Sequence, residues 1–99
     1  MSRYKRALAG SIGKWSMVHT KAGAYLGRIE GIHRRGITVL VPGHYAAQGP
    51  IKVLKKNISL KASETAGVPY PYGRLASGPF VQWFIPFWFL LPFLLIPFI

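Results

Sequence analysis

From Trp15 to about Ala62 the apolar positions come in short runs broken by Gly, Pro and basic residues, the pattern of a small β unit. Five strands are predicted. Trp15 to Thr20 runs into a turn at Lys21-Ala22-Gly23, and Ala24 to His33 makes a longer strand carrying Gly27 and Gly31. Two glycines in one strand mark bends. After Arg34-Arg35-Gly36, the residues Ile37, Val39 and Val41 share one face until Pro42-Gly43 ends the run. A loop from His44 to Pro50 leads into Ile51 to Lys55, and Asn57 to Lys61 alternates Ile58 and Leu60 with polar neighbours. A bent second strand can serve both halves of a barrel, so the predicted fold is mainly β, a five-stranded closed barrel without exposed edges. Ahead of it, Ser2 can cap a short helix in which Tyr4, Leu8 and Ile12 share a face, ended by Gly10 and Gly13.

The pattern changes at residue 80. Phe80 to Ile99 carries no charge, and Gln82 is its one strongly polar side chain. As a helix, such a segment would span about 30 Å, the thickness of a hydrocarbon core. Its Phe, Leu, Ile and Val residues together favour insertion by about 6 kcal/mol. Pro86 and Pro92 oppose this, each removing a helix hydrogen bond at about 3 kcal/mol in a soluble helix and less in a membrane. The expectation is a kinked or partnered transmembrane anchor presenting Phe80, Trp83, Phe84, Phe87, Trp88, Phe89 and Phe93 to lipid. The alternative is an aromatic plug packed against copies of itself. Between barrel and tail, Gly67, Pro69, Pro71, Gly73, Gly78 and Pro79 make an extended linker, in which Tyr70, Tyr72 and Arg74 are placed to anchor at the headgroups. The predicted organisation is thus a basic domain over 1–62, a linker over 63–79 and a hydrophobic tail over 80–99. On this reading a chain ended at Gly78 is a soluble basic protein.

Charge sharpens the picture. Thirteen Lys and Arg face two Asp and Glu in 99 residues, a net charge of +11, yet 51% of the chain is hydrophobic, which excludes a disordered basic arm. Arg28, Arg34 and Arg35 near the second turn, and Lys52, Lys55 and Lys56 in the fourth strand, are the candidate residues for binding an anionic surface. Lipid is the first candidate, at ~1 kcal/mol per cation, and a solvated face that keeps an apolar chain soluble is the second. Nucleic acid comes later, because Tyr4, Trp15, Tyr25 and Tyr45 are scattered and make no stacking platform. With every cation before the tail, the positive-inside rule places the head on the cytoplasmic side of a membrane. The opening residues are too polar for a secretory leader.

Catalysis has little material. Glu30 and Glu64 are the only acidic side chains and Cys is absent, which excludes thiol nucleophiles, disulfides, thiolate metal sites and an Asp-His pair. His19, His33 and His44 stand at no metal-ligand spacing. Neither an enzyme nor a cofactor is expected.

The run Val18 to Ile32, with Gly23, Gly27 and Gly31, followed by Gly36-Ile37-Thr38-Val39, resembles the opening strands of Sm-like and SH3-like small barrels; the resemblance covers residues 15–61. Gly23 to Ile29 and Val39 to Tyr45, joined to an apolar C-terminus, are also similar to segments of small uncharacterised proteins of spore-forming Bacillus relatives. The first resemblance implies an SH3/Sm-like barrel. RNA-binding Sm proteins carry an acidic or amide side chain before the third strand and a short polar signature after the fourth. Here those places hold His33-Arg34-Arg35 and Leu54-Lys55-Lys56-Asn57, so no uridine pocket carries over. Three functions follow as expectations. The first is a membrane-anchored binding or scaffold protein whose head contacts anionic lipid. The second is a structural protein of a spore coat or cell-envelope layer, forming homo-oligomers through its tail or barrel edges. The third is a tethered nucleic-acid binder.

Overall fold

The computed structural model describes residue 6, residues 9–65, residue 68 and residues 78–97, the segment 92–97 as backbone alone. Its strands are β1 (Trp15–Thr20), β2 (Gly23–Ile32), β3 (Gly36–Pro42), β4 (Lys52–Ile58), β5 (Phe80–Pro86) and β6 (Leu90–Pro97). A single helical turn, α1 (Ala62–Thr65), follows β4, and a 3-10 turn (Phe87–Phe89) joins β5 to β6. All pairings are antiparallel, in one sheet of order β4-β5-β3-β2-β1-β6.

β1 to β3 stand where the alternation predicts them. Three expectations change. The sheet is open rather than a closed barrel: β4 pairs with β5, β6 pairs with β1, and the two remain its edges. The predicted fourth strand extends through Ile58, and the separate strand over Asn57 to Lys61 does not form. Asn57 takes a left-handed conformation (φ 58°) within a register shift between Lys55 and Ile58, and the chain then turns into α1. The N-terminal helix falls largely on residues outside those described; what is described there is a turn in which the Gly10 N–H donates to the Arg6 carbonyl at 3.2 Å.

The largest change is the tail, which continues the sheet. β5 lies between β3 and β4, with Val39 opposite Trp83, Ile37 opposite Ile85 and Leu40 opposite Gln82. Side chains alternate across a strand, so Trp83 and Ile85 join Val18, Tyr25, Ile29, Ile37, Val39, Val41, Phe89 and Leu90 in the main core. Phe80 falls on the other face and packs with Trp15, Leu26 and Leu40 in a second cluster, its ring 5.8 Å from that of Trp15. A strand covered on both faces reads as a continuous apolar run, as a membrane helix does. Among the described residues no helix is long and apolar enough to cross a membrane. Pro86 ends β5, while Pro92 and Pro97 sit in an edge strand, where a missing N–H can be tolerated.

The sheet is strongly curled. Phe87 N–H donates to the Arg35 carbonyl at 2.9 Å, and Lys21 N–H donates to the Phe89 carbonyl at 3.0 Å. One three-residue turn is therefore fastened to the loops at both ends of β2, which must bend back to bring them together. The register of β2 against β3 shifts between Ile29 and Gly31. A Cβ on Gly27 would lie 3.2 Å from Val41 Cγ1 and 3.3 Å from the Leu40 carbonyl oxygen, whereas on Gly31 it would meet the side-chain ends of Thr38 and His33. Gly27→Val should therefore cost about 2 kcal/mol, more than Gly31→Val and much more than Ala22→Val in the turn. Equal denaturation midpoints for the three variants would remove the bend assignment.

Candidate basic and aromatic functional site

The site begins with the β2–β3 turn. His33 N–H donates to the Gly36 carbonyl at 2.8 Å, a tight closure that leaves the side chains of Arg34 and Arg35 exposed. Gly36 pairs with Pro86, which sets the end of β5 and the 3-10 turn beside those arginines. The apolar residues of the 3-10 turn divide by direction: Phe89 is buried in the core, while Trp88 is 64% exposed. Lys21, from the β1–β2 turn, places Nζ 5.6 Å from the Trp88 ring centroid. At the start of β4, Lys52 stands opposite Phe84. Arg34, Arg35 and Lys52 rim a groove of about 610 Å³ whose apolar walls are Pro50, Phe84, Pro86, Phe87 and Trp88.

The other sequence-derived candidates go elsewhere. Arg28 is engaged: it lies 3.2 Å from Glu30 Oε1, 3.5 Å from Glu64 Oε1 and 5.8 Å from the Trp15 ring centroid. Trp15 Nε1 donates to the Glu64 carbonyl at 3.0 Å, tying α1 to the sheet. Lys55 pairs with Gln82, and Lys56 lines a separate cavity of about 330 Å³ with Tyr45, Asn57 and Trp83. Trp83 and Phe80 are core residues, and Phe93 is described only as part of the β6 backbone. Tyr70, Tyr72 and Arg74 lie outside the described residues. Among the described residues, no three His, Cys, Asp or Glu side chains are grouped to hold a metal; His33 Nε2 instead meets Thr38 Oγ1 at 3.2 Å, and the His44 ring lies 4.5 Å from that of Tyr45.

The distribution of carboxylates makes the groove electropositive. Glu30 and Glu64 are the only acidic side chains of the chain, and both lie against Arg28. None is left for Lys21, Arg34, Arg35 or Lys52. The backbone N–H of Lys61 donates to Glu64 Oε2 at 3.0 Å and, with the charge and hydrogen bond of Arg28, holds the Glu64 carboxyl below its ordinary value. A depressed carboxylate pKa stabilises the fold above the unfolded pKa, and this is lost as pH falls through the folded value. The wild type should thus exceed Glu64→Gln in stability at neutral pH, and the difference should vanish in acid. A difference that persists at low pH would dissociate Glu64 from this linkage.

Sequence reasoning named Arg34, Arg35 and Lys52 and, separately, Phe84, Phe87 and Trp88, but it did not bring the two groups together and did not single out Lys21. Arg34-Arg35 and Phe87-Trp88 are far apart in the chain and meet because β5 pairs with β3. The available signal was Pro86, which ends the run after an alternation of Val81, Trp83 and Ile85. Comparison of the chain with protein-family models, with curated proteins and with solved structures found no match to any of them.

Proposed function

We propose that this is a non-enzymatic binding protein that attaches to an anionic membrane surface through Trp88 and the cations around it. The supporting observation is the exposed Trp88 on a turn held by backbone hydrogen bonds at both ends, beside Lys21, Arg34, Arg35 and Lys52, which have no carboxylate partner among the described residues. An indole is amphipathic and partitions to the headgroup level, and each neighbouring cation adds ~1 kcal/mol at an anionic surface. Trp88 also leads directly into β6, an edge strand whose sequence from Leu90 to Pro97 is wholly apolar. Single-stranded nucleic acid could meet the cations and stack on the indole, but it offers nothing apolar to the walls formed by Phe84, Pro86 and Phe87. Lipid offers both. This reading replaces insertion of a C-terminal helix with peripheral attachment, on the cytoplasmic face, where anionic lipid gives the surface its negative potential.

A second reading rests on the same edge: copies could assemble through β6 into a coat or envelope layer. Co-sedimentation separates the two. Attachment predicts pelleting with anionic but not neutral vesicles, weakened by salt. Replacing Arg34 and Arg35 by Gln should weaken it by about 2 kcal/mol, roughly thirtyfold. Lys55→Gln with Lys56→Gln should do less, because neither lines the Trp88 groove: Lys55 stands further along β4 opposite Gln82, and Lys56 lines the separate cavity. Pelleting without vesicles would favour assembly, and equal binding to neutral vesicles would exclude the electrostatic mechanism.

A further inference from the structure

We infer that the groove between the Arg34–Arg35 turn and the 3-10 turn is a stoichiometric site for one phosphate-bearing lipid headgroup, an inference that rests on the attachment reading above. Attachment by charge and indole alone would need only an exposed patch. The structure has a concavity of about 610 Å³, within the usual range for a small-molecule site. Its chemistry is divided in the way a phospholipid is divided. On the rim, Arg34, Arg35 and Lys52 come from two elements, the β2–β3 turn and β4, and converge on one opening. Guanidinium groups match phosphate oxygens with paired donors, and an ammonium adds a point charge. The walls, Phe84, Pro86, Phe87 and Trp88, carry no charge and fit the glycerol shoulder and first methylenes of an acyl chain.

The site is also built rigidly enough to select. Pro86 opposes Gly36 in the ladder, Phe87 N–H is bonded to the Arg35 carbonyl, and Phe84 belongs to a strand paired on both sides. The apolar walls and the arginine turn are therefore fixed to one another by backbone, and a ligand would order mainly the exposed side chains. That lowers the entropic cost of binding. The charge favours an anion on every side, since the carboxylates that could have competed for these cations lie at Arg28.

The experiment titrates the intact chain with monomeric short-chain phosphatidic acid and, in parallel, with short-chain phosphatidylcholine, inorganic phosphate and a single-stranded oligonucleotide, read by calorimetry and by backbone amide shifts. The expected result is saturable one-to-one binding of phosphatidic acid, with shifts at residues 34–36, 52, 84, 85, 87 and 88. Phosphatidylcholine and inorganic phosphate should bind about tenfold more weakly or less, because one lacks net charge and the other lacks the apolar shoulder. Arg34→Gln and Arg35→Gln, with side chains exposed and amide spectra otherwise unchanged, should each lose about tenfold, and Lys56→Gln, in the separate cavity, nothing. Inorganic phosphate binding as tightly as the lipid would overturn the site, leaving a plain anion patch. Tighter binding of the oligonucleotide at the same residues would replace the lipid with nucleic acid. Retained binding to anionic vesicles with no binding of short-chain lipid would overturn this inference and leave surface attachment standing; loss of vesicle binding by the wild type would remove both.

Discussion

Truncation at Gly78 is expected to leave a chain that does not fold. The charge pattern alone describes that fragment as a self-sufficient basic head, but β5 is an interior strand of the sheet, bonded to β3 on one side and β4 on the other. Removing it uncovers the ladder edge of β3, strands β4 without a neighbour, and takes Trp83, Phe80, Ile85, Phe89 and Leu90 out of the two cores. At about 2 kcal/mol for each buried side chain, the loss approaches 10 kcal/mol. The whole stability of a chain this size is only about 5–15 kcal/mol. The fragment 1–78 should therefore give collapsed amide dispersion and no cooperative melt, where the full chain gives both. A cooperative transition in the fragment would mean that β1 to β4 form a domain by themselves.

The second large effect concerns Gly36→Ala. A Cβ at this position would run into the Ile85 carbonyl oxygen and come within 2.9 Å of Pro86 Cα and 2.7 Å of the Phe84 ring. Two of those obstacles are backbone of the paired strand and cannot rotate away. Forcing β3 and β5 apart at their registered end should cost about 3 kcal/mol, at the upper end of overpacking penalties, and lower the melting temperature by roughly 15 °C. Gly31→Ala is the matched control, since its added methyl would meet only Thr38 Oγ1 at 3.2 Å and the His33 ring at 3.3 Å, both ends of side chains. Indistinguishable melting temperatures would show that β3 and β5 do not approach as closely as Gly36 implies. Because Gly36 also closes the Arg34–Arg35 turn, the destabilised variant should lose vesicle binding at temperatures where it still melts cooperatively.

How much of this was legible depends on how clearly the chain marks the ends of each strand. β3 could be read directly although it is buried almost throughout, since its run Ile37-Thr38-Val39-Leu40-Val41 is short and rich in β-branched residues and its bounding signals, Gly36 and Pro42-Gly43, are local. β2 could be read with its bend, because Gly27 and Gly31 interrupt an otherwise regular strand. β5 could not: Phe80 and Phe84 occupy the face that a half-exposed strand would give to polar residues, which erases the period of two. Twenty uncharged residues then fit a bilayer by length and hydropathy alone. The same ambiguity concealed the site. Its cations announce themselves as an Arg-Arg turn and a lysine before a β-branched residue, but its walls come from the segment assigned to lipid, and only the pairing of Gly36 with Pro86 brings the two halves together.

The order of the strands in the sheet differs from their order in the chain, and that has a consequence for biosynthesis. On the ribosome β1, β2 and β3 are made first and can pair as a meander, but the partner of β3 is β5, which follows β4, α1 and the linker. Until Phe80 to Pro86 have emerged, β3 presents an open apolar ladder and β4 has nothing to pair with. Native closure is thus a late, non-local event, the kind that folds slowly and leaves intermediates exposed. Three of the seven residues of β4 are lysines, and charged side chains on a strand that has no neighbour disfavour edge-to-edge association.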